Sequence, residues 1–320
     1  MRCVKCPDKA VIELRRHHSP FCKPHFIEYF ENQVERAVRR QGMLSPDDRI
    51  MVAVSGGKDS LTLWYVLNRM GYNTTGLHIH LGIGEYSDAS YDATLAFAKQ
   101  HDLEVTTVDL SKTYGMNVPD LSKALRRVAC SGCGLSKRYI MNKEAHERGF
   151  DVVATGHNLD DEAATLMGNV LHWQMGYLAR QAPVLEATTE KLVKKVKPLY
   201  TVTERETAAY ALLHGIDYVE EECPNAFGAK SLLYKDALNR IELESPGAKH
   251  QFLLQFFENA RPRLEVGADE HELRDCAICG QATTTEVCAF CRMWQQAKRR
   301  VEQKEERRQL REAEAAAPTT

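Results

Sequence analysis

An apolar run from Ile50 to Val54 stops at Ser55-Gly56-Gly57-Lys58-Asp59-Ser60 and gives way to a helical pattern with Leu61, Trp64 and Leu67 on one face. A strand, a glycine turn and a helix start, in that order, build an anion site. The glycines bring the backbone close to a phosphate, and the free N–H groups and positive helix end point at it. Lys58 adds a mobile positive charge, and the Ser55 and Ser60 hydroxyls add donors. The loop is too short for the G-x-x-x-x-G-K-[ST] pattern. A tight turn with a surface lysine is the plainer reading, but a double glycine ringed by two serines, a lysine and an aspartate favours a phosphate site.

The surroundings fix the fold class. Apolar runs at 50–54, 74–81, 104–110 and 151–155 alternate with helical patterns at 60–70, 88–101, 135–148 and 159–172. That alternation predicts an α/β domain with a doubly wound parallel sheet, whose ligands bind at the carboxyl ends of the strands. Gly71, Gly149 and Gly215 follow helical stretches as C-terminal caps do, and Thr203-Glu-Arg-Glu206 fits a capping box. Two stretches are placed to meet the loop. Thr75–His80 ends the second strand, where main chain reads an adenine edge; for either histidine alone, a plain strand with solvent-facing histidines is the better reading. Ala154–Asp161 ends a strand at Gly156 and starts a helix with Asp160 and Asp161, either of which would hold magnesium beside a triphosphate. The alternative is that these acids only complement the helix dipole.

Ten cysteines among 320 residues are the compositional anomaly. No apolar run is long enough to span a membrane and no signal peptide is evident, so a cytoplasmic, reducing setting is expected, where metal or redox chemistry outranks disulfides. Cys3-x-x-Cys6 with Cys22-x-x-His25, and Cys276-x-x-Cys279 with Cys288-x-x-Cys291, are double knuckles suited to tetrahedral zinc. Cys130 and Cys133 form a knuckle inside the sheet domain, and their only plausible cysteine partner is Cys223. Three such thiols allow a catalytic zinc, an iron–sulfur cluster with one open iron, or a redox pair with a resolving thiol; the lack of histidine leans towards the cluster. Cys223 could instead be an inert core cysteine. The expected organisation is an N-terminal zinc finger (1–26), a catalytic domain with a helical C-terminal part (27–265), a zinc ribbon (266–295) and a charged helical tail (296–320). An amphipathic helix is expected over 26–40, and further helices over 231–243 and 249–260. The net charge of −2 does not advertise a nucleic-acid binder, but basic clusters occur at Arg15-Arg16-His17-His18, Arg36–Arg40, Lys194–Lys197 and Lys298-Arg299-Arg300.

Taken together and in this order, the loop, the Cys130/Cys133 pair, Gly156–Asp161 and Cys223 resemble the ATP-pyrophosphatase-type (PP-loop) tRNA 2-thiolation enzymes. The likeness covers residues 1 to about 295, and the flanking zinc modules resemble the branch that thiolates T-loop 5-methyluridine, or its anticodon-uridine relatives. The resemblance implies that Ser55, Gly56, Gly57, Lys58, Asp59 and Ser60 hold the phosphates of ATP. It implies that Ala53 and Ile79 contact the nucleotide through main chain, that Lys137 and Gly156 complete the pocket, and that Asp161 lies next to Mg2+. It further implies adenylation of the uracil 2-oxygen, and a [4Fe-4S] cluster on Cys130, Cys133 and Cys223 that takes sulfide from a ubiquitin-like thiocarboxylated carrier. The catalytic set is then Lys58, Asp59, Asp161 and the three cysteines, in a homodimer that binds tRNA. Persulfide chemistry on the same thiols without iron remains an alternative. A lysidine-type or amide-forming ligase and a non-enzymatic RNA-binding zinc protein are the rival readings; the first has no use for the three thiols.

Overall fold

The computed structural model describes residues 1–226, 228–264 and 273–316. The chain enters as a hairpin, β1 (Ile12–Leu14) and β2 (Ser19–Phe21), and runs directly into α1 (Lys23–Arg40). Cys22 is the N-cap of α1 and a proline follows in the first turn, where its missing N–H costs nothing. Every third or fourth residue of α1 is apolar, so Phe26, Phe30, Val34 and Val38 are buried along one face. Phe30 stacks on Tyr210 with 4.2 Å between ring centroids. The hairpin's Ile12, Leu14 and Phe21 join that same core, so the N-terminal segment is built onto the main body, and the boundary expected at 26/27 falls inside a continuous helix.

The sheet domain follows as β3 (Arg49–Val54), α2 (Lys58–Arg69), β4 (Asn73–His80), α3 (Gly84–Gln100), β5 (Val105–Asp109), α4 (Leu110–Tyr114), α5 (Val118–Leu125), α6 (Ala129–Glu147), β6 (Val152–Thr155), α7 (Leu159–Leu171), α8 (Met175–Arg180), β7 (Val184–Leu185), β8 (Lys194–Val196) and α9 (Glu204–His214). The strand order is β5-β4-β3-β6-β8-β7, parallel throughout except for the two-residue edge strand β7. Alternation along β3 divides the core in two. Ile50, Val52 and Val54 face Phe26, Trp64 and Tyr210, while Met51 faces Leu77, Ile140 and Val153 on the other side. Gly76 is required where β4 crosses Trp64, because a Cβ there would lie 2.6 Å from the indole ring. One expectation is corrected on this strand: His78 is not solvent-facing but 2% exposed, sharing a hydrogen bond with the Thr94 hydroxyl at 3.2 Å. Helix α3 covers that face, as a doubly wound sheet demands.

The C-terminal part comprises α10 (Lys230–Glu244), α11 (Ala248–Gln255), the short strands β9 (Arg274–Asp275) and β10 (Ala282–Thr283), and α12 (Ala289–Ala316). Helix α12 starts within the second pair of knuckles and continues through the boundary expected at 295/296. The boundary expected at 265/266 and the last residues of the tail lie outside the described residues. Phe290, Met293, Trp294 and Ala297 bury against Leu121, Leu125 and Tyr139 of α5 and α6; the Tyr139 and Phe290 rings are parallel at 3.8 Å. Truncating a buried aromatic of this kind costs about 3–5 kcal/mol. No helix among the described residues is long and apolar enough to cross a membrane.

Candidate active site and metal centres

The strand order reverses between β3 and β6, so the loops that leave these two neighbours meet at the carboxyl edge. That topology brings Ser55–Ser60 against Gly156–Asp161. The approach is tight: a Cβ on Gly156 would sit 2.9 Å from the Ser60 nitrogen, and one on Gly56 would sit 2.4 Å from the Ser90 carbonyl oxygen. Gly56 also has φ +76°, so only glycine meets both demands. The Ser60 hydroxyl donates to the Gly57 carbonyl at 3.0 Å and accepts from the Ser55 N–H at 3.0 Å, tying the loop into a ring. Ala53 and Ile79 lie in the strands that end beside this ring.

A chain of alternating charges crosses the floor. Lys58 lies 2.6 Å from Glu204 and 3.2 Å from Asp59, and Lys235 lies 3.3 Å from Glu204 and 2.6 Å from Asp161. Burial pulls the Lys58 ammonium down, but Asp59 and Glu204 more than offset it and hold the charge in place. Burial drives the Asp59 carboxyl up against the pull of Lys58, and nearby Asp161 drives it the same way. Two carboxylates that repel each other at the mouth of a phosphate loop are the donor set a hard cation takes. Asp161 also closes a reciprocal capping box with Asn158, whose amide donates to Asp59 at 3.1 Å. Asp160, the other candidate for magnesium, is instead buried in an ion pair with Lys249 and accepts the Glu204 N–H at 2.8 Å. These contacts engage both of its carboxylate oxygens, Oδ1 with Lys249 and Oδ2 with the Glu204 N–H. Glu204 and Lys235 escaped the sequence reading; the capping box at Thr203 marked a helix start, but nothing local said where that helix points. A cavity of about 690 Å³ opens beside Lys58 and Glu204 and is walled by Ile12–Arg16 of the N-terminal hairpin.

The three central cysteines come together differently. Helix α6 begins at Ala129, earlier than the expected 135, so Cys130 and Cys133 occupy its first turns. The Cys130 thiol donates to the Asn225 carbonyl at 3.0 Å, which places the Cys223 segment on the same turn. That segment is anchored to the loop as well, since the Val219 N–H donates to the Gly56 carbonyl at 3.0 Å. Burial pushes the Cys133 thiol up; Lys137 opposes it, while Cys223 and Cys130 add to it. Lys137 lies one turn beyond Cys133 on α6, and its charge also weighs against protonation of the buried His78. Among the described residues, only the terminal knuckles converge to within 4.8 Å, as Cys3, Cys6, Cys22 and His25, and as Cys276, Cys279, Cys288 and Cys291. Three soft donors and an imidazole, or four soft donors, at that spacing fit one tetrahedral zinc each. Three neighbouring thiols that do not converge on one point fit a multi-iron group, whose ligands each bind a different metal atom.

Comparison with known proteins agrees with this geometry. A profile described as the PP-loop domain matches residues 27–227, and one described as the N-terminal LIM domain of the 2-thiouridine synthetase TtuA matches residues 2–27. The tRNA-5-methyluridine(54) 2-sulfurtransferase of Thermus thermophilus is 55% identical over 304 residues, covering 95% of this chain and 94% of its own. Its namesake from Pyrococcus horikoshii is 44% identical, covering 92% and 94%. The solved structure of the U34-tRNA thiolase NcsA from Methanococcus maripaludis with its [4Fe-4S] cluster aligns with a TM-score of 0.78 at 27% identity, covering 92% of this chain and 95% of that one. With a domain profile over more than half its length and relatives this similar along nearly all of it, the chain belongs to the PP-loop family, in the branch of the tRNA 2-thiolation enzymes.

Proposed function

We propose that this protein is a PP-loop tRNA sulfurtransferase that replaces the 2-oxygen of 5-methyluridine 54 in the T-loop with sulfur at the expense of ATP. The observation that carries the reading is the juxtaposition of phosphate loop and three thiols at one sheet edge, in a chain 55% identical to a T-loop 2-sulfurtransferase. The structural neighbour named for U34 is only 27% identical, which favours the T-loop over the anticodon as target.

Each residue has a task in this scheme. Backbone N–H groups of 56–60, with the Ser55 and Ser60 hydroxyls, receive the phosphates of ATP, and Ala53 and Ile79 border the base. Lys58 stabilises charge on the phosphates as the uracil oxygen attacks, releasing pyrophosphate and leaving AMP on the base. Asp59 and Asp161 would hold Mg2+, which when bound supplies further positive charge for the phosphates. Lys235 becomes a second cation for the phosphates once they displace Glu204. Lys137, one turn beyond Cys133 on α6, and Gly156 complete the nucleotide pocket. Cys130, Cys133 and Cys223 would hold a [4Fe-4S] cluster, which when bound supplies an iron with a free position for sulfide. Sulfur arrives from a ubiquitin-like carrier with a C-terminal thiocarboxylate, AMP leaves as sulfur takes its place, and the two terminal clusters hold structural zinc. The enzyme works as a cytoplasmic homodimer.

The test is anaerobic incubation of the purified protein with ATP, Mg2+ and tRNA lacking the modification. tRNA-dependent release of pyrophosphate is expected, followed by AMP once sulfide is added as the sulfur source. Turnover of ATP that ignores tRNA would defeat the reading.

A further inference from the structure

Helix α12 changes character along its length. Up to Ala297 one face is buried against α5 and α6, whereas every residue from Lys298 to Glu312 is exposed. At roughly 100° per residue, Arg300, Lys304, Arg307, Arg308 and Arg311 fall within an arc of about 100°; Glu305 and Glu312 flank it beside Arg308, and Glu302 and Glu306 lie on the opposite side with Lys298 and Arg299. The basic arc continues the face that buries Met293 and Ala297, so it looks back towards the body. Arg300 fixes that direction, donating to the Ala124 and Leu125 carbonyls at the end of α5 at 3.3 and 3.0 Å. Exposed Lys123, Arg126 and Arg127 lie at the same place, just ahead of Cys130.

A helix that needed its charges only for solubility would interleave signs at i,i+4 spacing. Here Arg300, Lys304 and Arg308, and likewise Arg307 and Arg311, are like-charged i,i+4 neighbours, which destabilises an isolated helix by a few tenths of a kcal/mol per pair. Among the described residues only Arg308 of the exposed row makes ion pairs, with Glu305 and Glu312. A polyanion removes that repulsion. The arc has no apolar anchor of the kind a protein interface is built round, and it runs straight for about 16 Å.

We propose that this face, together with Lys123, Arg126 and Arg127, grips the phosphate backbone of tRNA beside the cysteine site. The proposal rests on the tRNA-thiolating reading above. Contact between α12 and the first turn of α6 ties the two together, since an added Cβ on Gly132 would touch Met293 at 3.8 Å.

The experiment measures tRNA binding by fluorescence anisotropy between 50 and 200 mM KCl (conditions chosen on) for wild type and for the combined Lys304→Gln, Arg307→Gln, Arg311→Gln variant. Each lost phosphate contact lowers the salt slope by about 0.7–0.9, so a fall of about 2 and an affinity loss of at least ~10-fold are expected. Zinc content and ATP affinity stay at wild-type levels. The matched Glu302→Gln, Glu305→Gln, Glu306→Gln variant binds as well as wild type or more tightly. An unchanged affinity and slope in the basic-face variant would overturn the proposal, as would unchanged tRNA binding with loss of an acidic protein partner. Failure of wild type to bind tRNA at all would contradict the functional reading instead.

Discussion

The terminal knuckles and the central cysteines are the same chemical resource arranged in opposite ways. At each end four donors converge within 4.8 Å, delivered by segments close in sequence: a turn, a helix N-cap, a first helical turn. In the centre Cys130 is exposed, Cys133 and Cys223 are half-buried, and the third thiol comes from a distant segment held by main-chain hydrogen bonds. A closed four-ligand site satisfies its metal and stabilises the fold; an incomplete one leaves a position for chemistry. The difference predicts that damage at the ends shows up in stability and damage at the centre shows up in turnover.

Cys130→Ser, Cys133→Ser and Cys223→Ser should each abolish tRNA thiolation while leaving zinc content and melting temperature near wild type. Nucleoside mass spectrometry and metal analysis read this directly, and loss of zinc from these variants would blur the contrast. Lys58→Ala should lower kcat/KM for pyrophosphate release by about 10²–10³-fold without altering either zinc or iron. Cys3→Ser should do the reverse, lowering unfolding free energy by several kcal/mol with ATP binding retained; calorimetry against ATP titration separates the two. Gly156→Ala forces a Cβ onto the backbone of α2 and should cost about 1–3 kcal/mol, with weaker ATP binding as well, because it wedges the two loops apart.

A smaller effect concerns pH. Burial, helped by His80, holds the His78 imidazole down at about 4. The unfolded chain takes up its proton near 6.5, so stability from this group is complete above that value and drains away as pH falls towards 4. The loss is on the order of 3 kcal/mol, and His78→Gln should flatten that part of the pH–stability curve measured by denaturant unfolding.

Much of this was legible in the sequence, for a physical reason. The strand–glycine–helix start, the alternating apolar runs and the knuckle spacings are local patterns, and local patterns survive without knowing the fold. Helix α6 was placed too late because Gly132 and Gly134 in its first turns argue against helix by about 1 kcal/mol each. Packing of that turn on Leu121, which an added Cβ would approach to 3.2 Å, overrides the propensity. Strand β8 was missed because Lys194-Lys195-Val196 is short and charged. The local pattern alone left Asp160 and Asp161 as equal candidates, since their partners Lys249 and Lys235 sit on helices far along the chain; only the family resemblance singled out Asp161. The Lys58–Glu204–Lys235–Asp161 chain of ion pairs is a product of topology alone.

The central claim is that one sheet edge activates a tRNA base and three thiols deliver its sulfur. It is tested most directly by mass spectrometry of tRNA nucleosides from cells lacking this protein and complemented with single variants. The account predicts that 2-thio-5-methyluridine disappears, returns with wild type, and stays absent with Lys58→Ala or with Cys223→Ser. Persistence of 2-thio-5-methyluridine without the protein, or its return with Cys223→Ser, would contradict it.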